Sequence, residues 1–167
     1  MGLSFKSPCF QLASFIAVLG LFISTEARID KFSDFNGQGY SLHMANTVSY
    51  KVYNERRTWE EARRKCIDDG ARLAIIDTYE KVGIIGKLKP FNAYVWIGVS
   101  RSGPNQPWII AHNGLSMVNI PWAPTKPWGS YNCLTVRGCN RGLSNEDCND
   151  RKGFVCEKVV SAEVLNP

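Results

Sequence analysis

The side chains able to do chemistry in this 167-residue chain are arranged for binding rather than for bond-making. Past residue 27 the only histidines are His43 and His112, the second standing just before a glycine turn. No serine or cysteine sits in a recognisable nucleophile motif, no helical His-x-x-x-His pair offers a metal site, and no glycine-rich loop is built to cradle phosphate. Catalysis is unsupported, and the chain reads as not an enzyme. What does cluster is aromatic and cationic. Residues 116–132 carry Trp122, Lys126, Trp128 and Tyr131, with Pro121, Pro124 and Pro127 restricting the backbone between them. Aromatic faces stack on the apolar face of a sugar ring or cover an acyl chain, and a lysine ammonium pairs with phosphate or sulfate. A connection that long inside a compact domain is usually functional. Trp122 taken alone reads as a core residue.

The second chemical group is the cysteines. Residues 1–27 have Lys6 near the start, an apolar run over 12–23 and small residues Thr25 and Ala27 where a signal peptidase reads, so they are expected to be a secretory signal. The run is too short for a spanning helix, which needs about 20 apolar residues. Cys9 belongs to that segment, leaving Cys66, Cys133, Cys139, Cys148 and Cys156 in about 140 residues, one domain's worth of chain. Export makes disulfides the default, and no close Cys-x-x-Cys pair suggests structural zinc. Five is odd, so one thiol is left over. The net charge of +5, from 20 basic and 15 acidic residues, favours anionic partners weakly. The basic residues are dispersed apart from Arg63, Arg64 and Lys65 on an expected helix, which argues against nucleic acid.

These groups need elements to position them. Residues 28–47 lack sustained periodicity and read as an extended or loosely ordered lead-in. Val48, Tyr50, Val52 and Tyr53 suggest a first strand. Thr58 and Glu61 have the spacing of a capping box, Trp59, Ala62 and Cys66 share the inward face of the helix it opens, and Gly70 supplies its stop. A strand over 73–76 leads to Asp77 as the next cap and to a second helix ending near Leu88, before Pro90. Short strands follow over 94–99, 108–111, 133–136 and 153–157. The order is that of an α+β fold.

The Thr58-Trp59-Glu60-Glu61-Ala62 helix start, Cys66, the run 71–76, Trp96-Ile97-Gly98, Cys133, Cys148 and Phe154-Val155-Cys156-Glu157 together resemble a C-type lectin-like domain. The match covers 48–158, between the lead-in and a tail at 159–167, and is most similar to insect haemolymph lectins described as lipopolysaccharide-binding. The resemblance implies two helices with short antiparallel strands and a long loop. It also implies disulfides Cys66–Cys156 and Cys133–Cys148, closing loops of about 91 and 16 residues, worth roughly 4.6 and 3 kcal/mol in the chain-entropy model. Cys139 is then unpaired, open to an intermolecular disulfide or to a capped or buried thiol.

Sugar-binding members of that family hold calcium with a Glu-Pro-Asn or Gln-Pro-Asp tripeptide, a later glutamate and an Asn-Asp pair. The matched positions here are Lys126, Pro127 and Trp128, then Tyr131, then Ser144 and Asn145. Calcium takes six to eight oxygen ligands, and lysine and tryptophan offer only N–H donors. No metal or other cofactor is therefore expected, although Glu146 and Asp147 lie close by. The expected function is a secreted lectin-like protein that binds an anionic glycan or lipopolysaccharide in innate pattern recognition through Lys126, Pro127, Trp128, Tyr131, Ser144 and Asn145. The alternative is a calcium-independent module with a protein ligand, a venom or salivary component being one form of it, because tryptophan also anchors protein interfaces.

Overall fold

The computed structural model describes residues 33–35, 39–42, 48–137 and 141–159; the expected signal segment, Cys139 and the residues beyond 159 lie outside them. The first long element is strand β3 (Val48–Arg57), preceded by β1 (Ser33–Phe35) and β2 (Tyr40–Leu42). Those two short strands lie within what reads from sequence as the lead-in. They extend the sheet, β2 pairing antiparallel with β3 and β1 antiparallel with β2, and Tyr40 is buried in the process.

Helix α1 (Trp59–Asp68) starts where local chemistry dictates. The Thr58 hydroxyl accepts from the Glu61 amide at 3.3 Å, and the Thr58 amide donates to the Glu61 carboxylate at 2.9 Å. Such a reciprocal cap satisfies two of the helix's otherwise unpaired donors. Trp59, Ala62 and Cys66 form the buried face, and Gly70 follows the last turn with φ +65°. Helix α2 (Tyr79–Leu88) is capped by Thr78 rather than by Asp77. Both side chains have the acceptor; the Thr78 hydroxyl takes the Lys81 amide at 3.2 Å, while the Asp77 carboxylate pairs with the Lys81 ammonium at 2.8 Å. Gly83 and Gly86 cost this helix about 1 kcal/mol each relative to alanine. Val82, Ile84 and Ile85, buried in the main core, offset that cost.

The strand expected over 73–76 is shorter, β4 (Arg72–Leu73). Beyond it the chain bridges two strands instead of extending one. The Ala74 amide donates to Val155, its carbonyl accepts from Gly98, and the Ile75 amide goes to the Glu157 carboxylate. Five further strands follow: β5 (Val95–Ser100), β6 (Ile109–Ile110), β7 (Cys133–Val136), β8 (Leu143–Glu146) and β9 (Lys152–Val159). Among the described residues the sheet runs β1-β2-β3-β9-β5-β7-β8, with β4 on β9 and β6 on β5. Among the described strands, β5 and β9 alone pair in parallel. No helix of the described residues is long and apolar enough to cross a membrane.

Two cores result. The larger packs α2 against β5, β7 and β9 through residues such as Ile85, Ile97, Leu134 and Val155. The smaller holds α1 through Trp59, Cys66, Trp96 and Phe154. The Trp59 indole donates to the Ile97 carbonyl, and the Trp96 indole to that of Arg57, so neither large ring buries an unsatisfied N–H. Disulfides Cys66–Cys156 and Cys133–Cys148 are both present. The first ties α1 to β9, and the second ties β7 to the turn between β8 and β9. Replacing Cys66 and Cys156 together by alanine should lower unfolding stability by about 2–5 kcal/mol, and by more than replacing Cys133 and Cys148, because the longer loop constrains the unfolded chain more. Urea unfolding of both double variants checks this ordering.

Candidate functional site

The long connection between β6 and β7 is held to the sheet at both ends. On its way out, the Leu143 amide donates to Pro121, the Ala123 amide donates to Leu143, and Gly142 passes beneath. Gly142 has φ +119°, and a Cβ there would stand 2.6 Å from the Ala123 nitrogen, so only glycine lets the connection approach β8 this closely. On the return, the Arg101 guanidinium donates to the carbonyls of Gly129 and Tyr131 and to the Asn132 side chain. Arg101 also lies 4.5 Å from the centre of the Trp108 ring. Its spacing in the chain gives no hint of this role, which depends on the fold bringing it alongside the connection.

Asn145 fixes the middle of the connection. Its side-chain oxygen accepts from the Trp128 amide at 2.7 Å, and its side-chain nitrogen donates to the carbonyls of Trp128 at 2.6 Å and Tyr131 at 3.1 Å. The side chain is fully buried and its hydrogen-bonding capacity is directed to backbone. Ser144 is also fully buried, its hydroxyl donating to Glu146 at 2.7 Å. Of the sequence-matched positions, Asn145 thus holds the connection in place, while Ser144 is buried with its hydroxyl engaged by Glu146. Trp128 and Tyr131 are presented outward, 60% and 47% exposed. Pro127 sits between Lys126 and Trp128 behind a cis peptide bond. Trp122 packs against the main core and meets Trp108 edge-on at 5.6 Å.

Lys126 occupies the centre of the site. Its ammonium stands 4.5 Å from the centre of the Trp128 ring and 4.0 Å from the Glu146 carboxylate, with only 9% of the side chain accessible. Burial lowers its pKa below the ordinary lysine value; Glu146 opposes the shift and the nearby Arg137 charge adds to it. The donor set does not fit calcium. Lys126 and Trp128 bring N–H groups, the Asn145 oxygen is taken by a backbone amide, and the Asp147 carboxylate is turned to Asn149. Among the described residues, no three His, Cys, Asp or Glu side chains gather as a metal site.

Lys126, Trp128 and Tyr131 form one wall of an open groove of about 800 Å³. Arg137, just past β7, and Glu146 of β8 also line it. Its opposite side is built from Asn54 and Arg56 of β3, Asn92 and Tyr94 ahead of β5, and Lys152 of β9, none of which stood out in the sequence as site residues.

The model of the C-type lectin domain matches residues 55–158. The chain belongs to this family. Relatives include NKG2-E type II integral membrane protein of Homo sapiens, 30% identical over 70% of this chain and 46% of its own length. C-type lectin lectoxin-Phi1 of Philodryas olfersii is 29% identical over 67% of this chain and 78% of its own. The chain thus spans under half of the first relative and over three quarters of the second. The fold matches that of the mouse scavenger receptor C-type lectin carbohydrate-recognition domain with a TM-score of 0.65, covering 75% of this chain and 97% of that one at 21% identity.

Asn145→Asp separates a supporting role from a ligand role. It would replace the donor to two carbonyls with a carboxylate oxygen, and stability should fall by about 1–3 kcal/mol with no gain of calcium binding. Thermal unfolding with and without calcium measures both; a variant of wild-type stability that calcium stabilises would contradict the supporting role.

Proposed function

We propose that this domain is a secreted, calcium-independent lectin that binds an anionic glycan, lipopolysaccharide included, in innate pattern recognition. The observation that carries the reading is the Lys126 ammonium over the face of the exposed Trp128 ring, at the position where calcium-dependent members supply a metal-ligating oxygen. A cation fixed on an aromatic wall offers a sugar both of the contacts it needs: a ring face for its apolar side and a charge for a phosphate or sulfate. The likeness to a carbohydrate-recognition domain supports a glycan as the ligand class. The sequence resemblance to insect haemolymph lectins supports lipopolysaccharide within it. Secretion is supported by the apolar N-terminal segment and by the two disulfides.

A protein ligand is the second reading. Leu115 and Val118, in the first part of the connection between β6 and β7, are 62% and 86% exposed, in addition to Trp128 and Tyr131. Exposed apolar side chains of this size suit a protein interface.

Lipopolysaccharide titrated against the wild type and a Lys126→Ala, Trp128→Ala double variant tests the glycan reading. The double variant should bind about ten- to a hundredfold more weakly, and a chelator should change neither affinity. Equal binding by both proteins would remove Lys126 and Trp128 from the mechanism, and no binding by the wild type would favour the protein ligand.

The depressed pKa of Lys126 sets a pH dependence. A lysine whose folded pKa lies below the ordinary value loses its charge earlier as pH rises, so anion affinity should fall in the alkaline range before exposed lysines titrate. Lys126→Arg keeps its charge there and should flatten the profile, as read by glycan affinity between neutral and alkaline pH.

A further inference from the structure

We propose that the groove contains a second anion subsite, built by Arg56 and Lys152, and that its ligand is therefore a polyanionic glycan bearing charges on successive sugar residues. This rests on the preceding reading that the Lys126–Trp128 wall takes an anionic glycan.

The fold brings the two subsites together from distant parts of the chain. Lys152 pairs with Arg57 across β3 and β9, Gly153 pairs with Val95 across the parallel β5 and β9, and Val95 pairs with Val136. Arg56, Lys152, Tyr94 and Arg137 therefore collect at one end of the sheet and face the groove. Glu146, which also lines it, lies opposite Cys133 at the other end of β7. The floor thus runs the length of β7, about 10 Å at roughly 3.3 Å per residue. A single sulfate or phosphate cannot reach from Lys126 beside Glu146 to Arg56 and Lys152.

Charge favours a ligand that spans the groove. Arg56, Lys126, Arg137 and Lys152 line it against the single carboxylate of Glu146. Asp150 pairs with Lys152 at 2.7 Å, and the Arg56 guanidinium uses its Nε to hold the Arg151 carbonyl, which fixes both cations in place. The lining keeps an excess of positive charge after both carboxylates are counted. Low-dielectric walls concentrate such a field on the ligand path. Tyr94 at this end and Trp128 and Tyr131 at the other offer ring faces at both positions, with the exposed Asn54 amide available to sugar hydroxyls. Sulfated glycosaminoglycan and the phosphorylated saccharide of lipopolysaccharide both provide such a charge series.

Affinities of three probes decide the matter: glucosamine 6-sulfate, a heparin-derived octasaccharide and deacylated lipopolysaccharide. The wild type should prefer one or both of the long probes over the monosaccharide by about tenfold or more, and which of them is preferred identifies sulfate or phosphate as the anion. Arg56→Gln with Lys152→Gln should abolish most of that preference and lessen its salt dependence. Arg56 is exposed, so Arg56→Glu alone keeps the test open should Lys152→Gln impair folding as judged by thermal unfolding. Arg64→Ala, on the solvent side of α1 and outside the groove, should leave the preference intact. A preference that survives the Arg56 and Lys152 changes, or that Arg64→Ala erases equally, overturns the second subsite. If the wild type binds none of the probes, the anionic-glycan reading itself fails, and the subsite with it.

Discussion

The exposed surface of this domain depends on one buried carboxamide. Asn145 gives its oxygen to the Trp128 amide and its nitrogen to two carbonyls, and so presses the long connection onto the edge strand of the sheet. Without that clamp, the backbone around Trp128 would lose three partly buried hydrogen bonds at once, in a segment with no regular secondary structure of its own. The clamp in turn needs β8 to be fixed. Its pairing with β7, the Cys133–Cys148 disulfide and the close passage at Gly142 provide that.

The same constraint decides the chemistry. In a calcium-dependent lectin the residues around this position serve a metal, whereas here they serve the polypeptide. The Lys126 ammonium stands between the Trp128 ring and Glu146 and places a fixed positive charge there. A covalently attached cation has less reach than a metal with open coordination positions, and it attracts anions rather than coordinating neutral hydroxyls. Arg137, Arg56 and Lys152, toward the other end of β7, extend the positive lining along the groove.

Much of the scaffold was legible in the sequence because its signals are local. The Thr58 to Glu61 box, the inward face of α1, the stop at Gly70 and the strand at 133–136 depend on neighbours within a few residues. Where two local signals compete, the reading slips by one: Asp77 and Thr78 can both cap, and Lys81 divides its amide and its ammonium between them. Strand β8 escaped because Leu143-Ser144-Asn145-Glu146 has the composition of a polar loop, its polar side chains being satisfied within the fold. Of the site, the aromatic and cationic wall was legible as residue types. The support given by Arg101 and the far wall of the groove were not, because sheet pairings between strands far apart in sequence assemble them.

The central claim is that a lysine, not a metal, provides the positive charge at this site. Calcium titrated into the isotope-labelled protein, followed by the NMR signals of the Trp128 indole and the Asn145 side-chain amide, tests it most directly. Through the range of about 10⁻⁴–10⁻³ M in which extracellular modules bind calcium, neither signal should show a saturable shift. A saturable shift of both, reversed by chelator, would contradict the account.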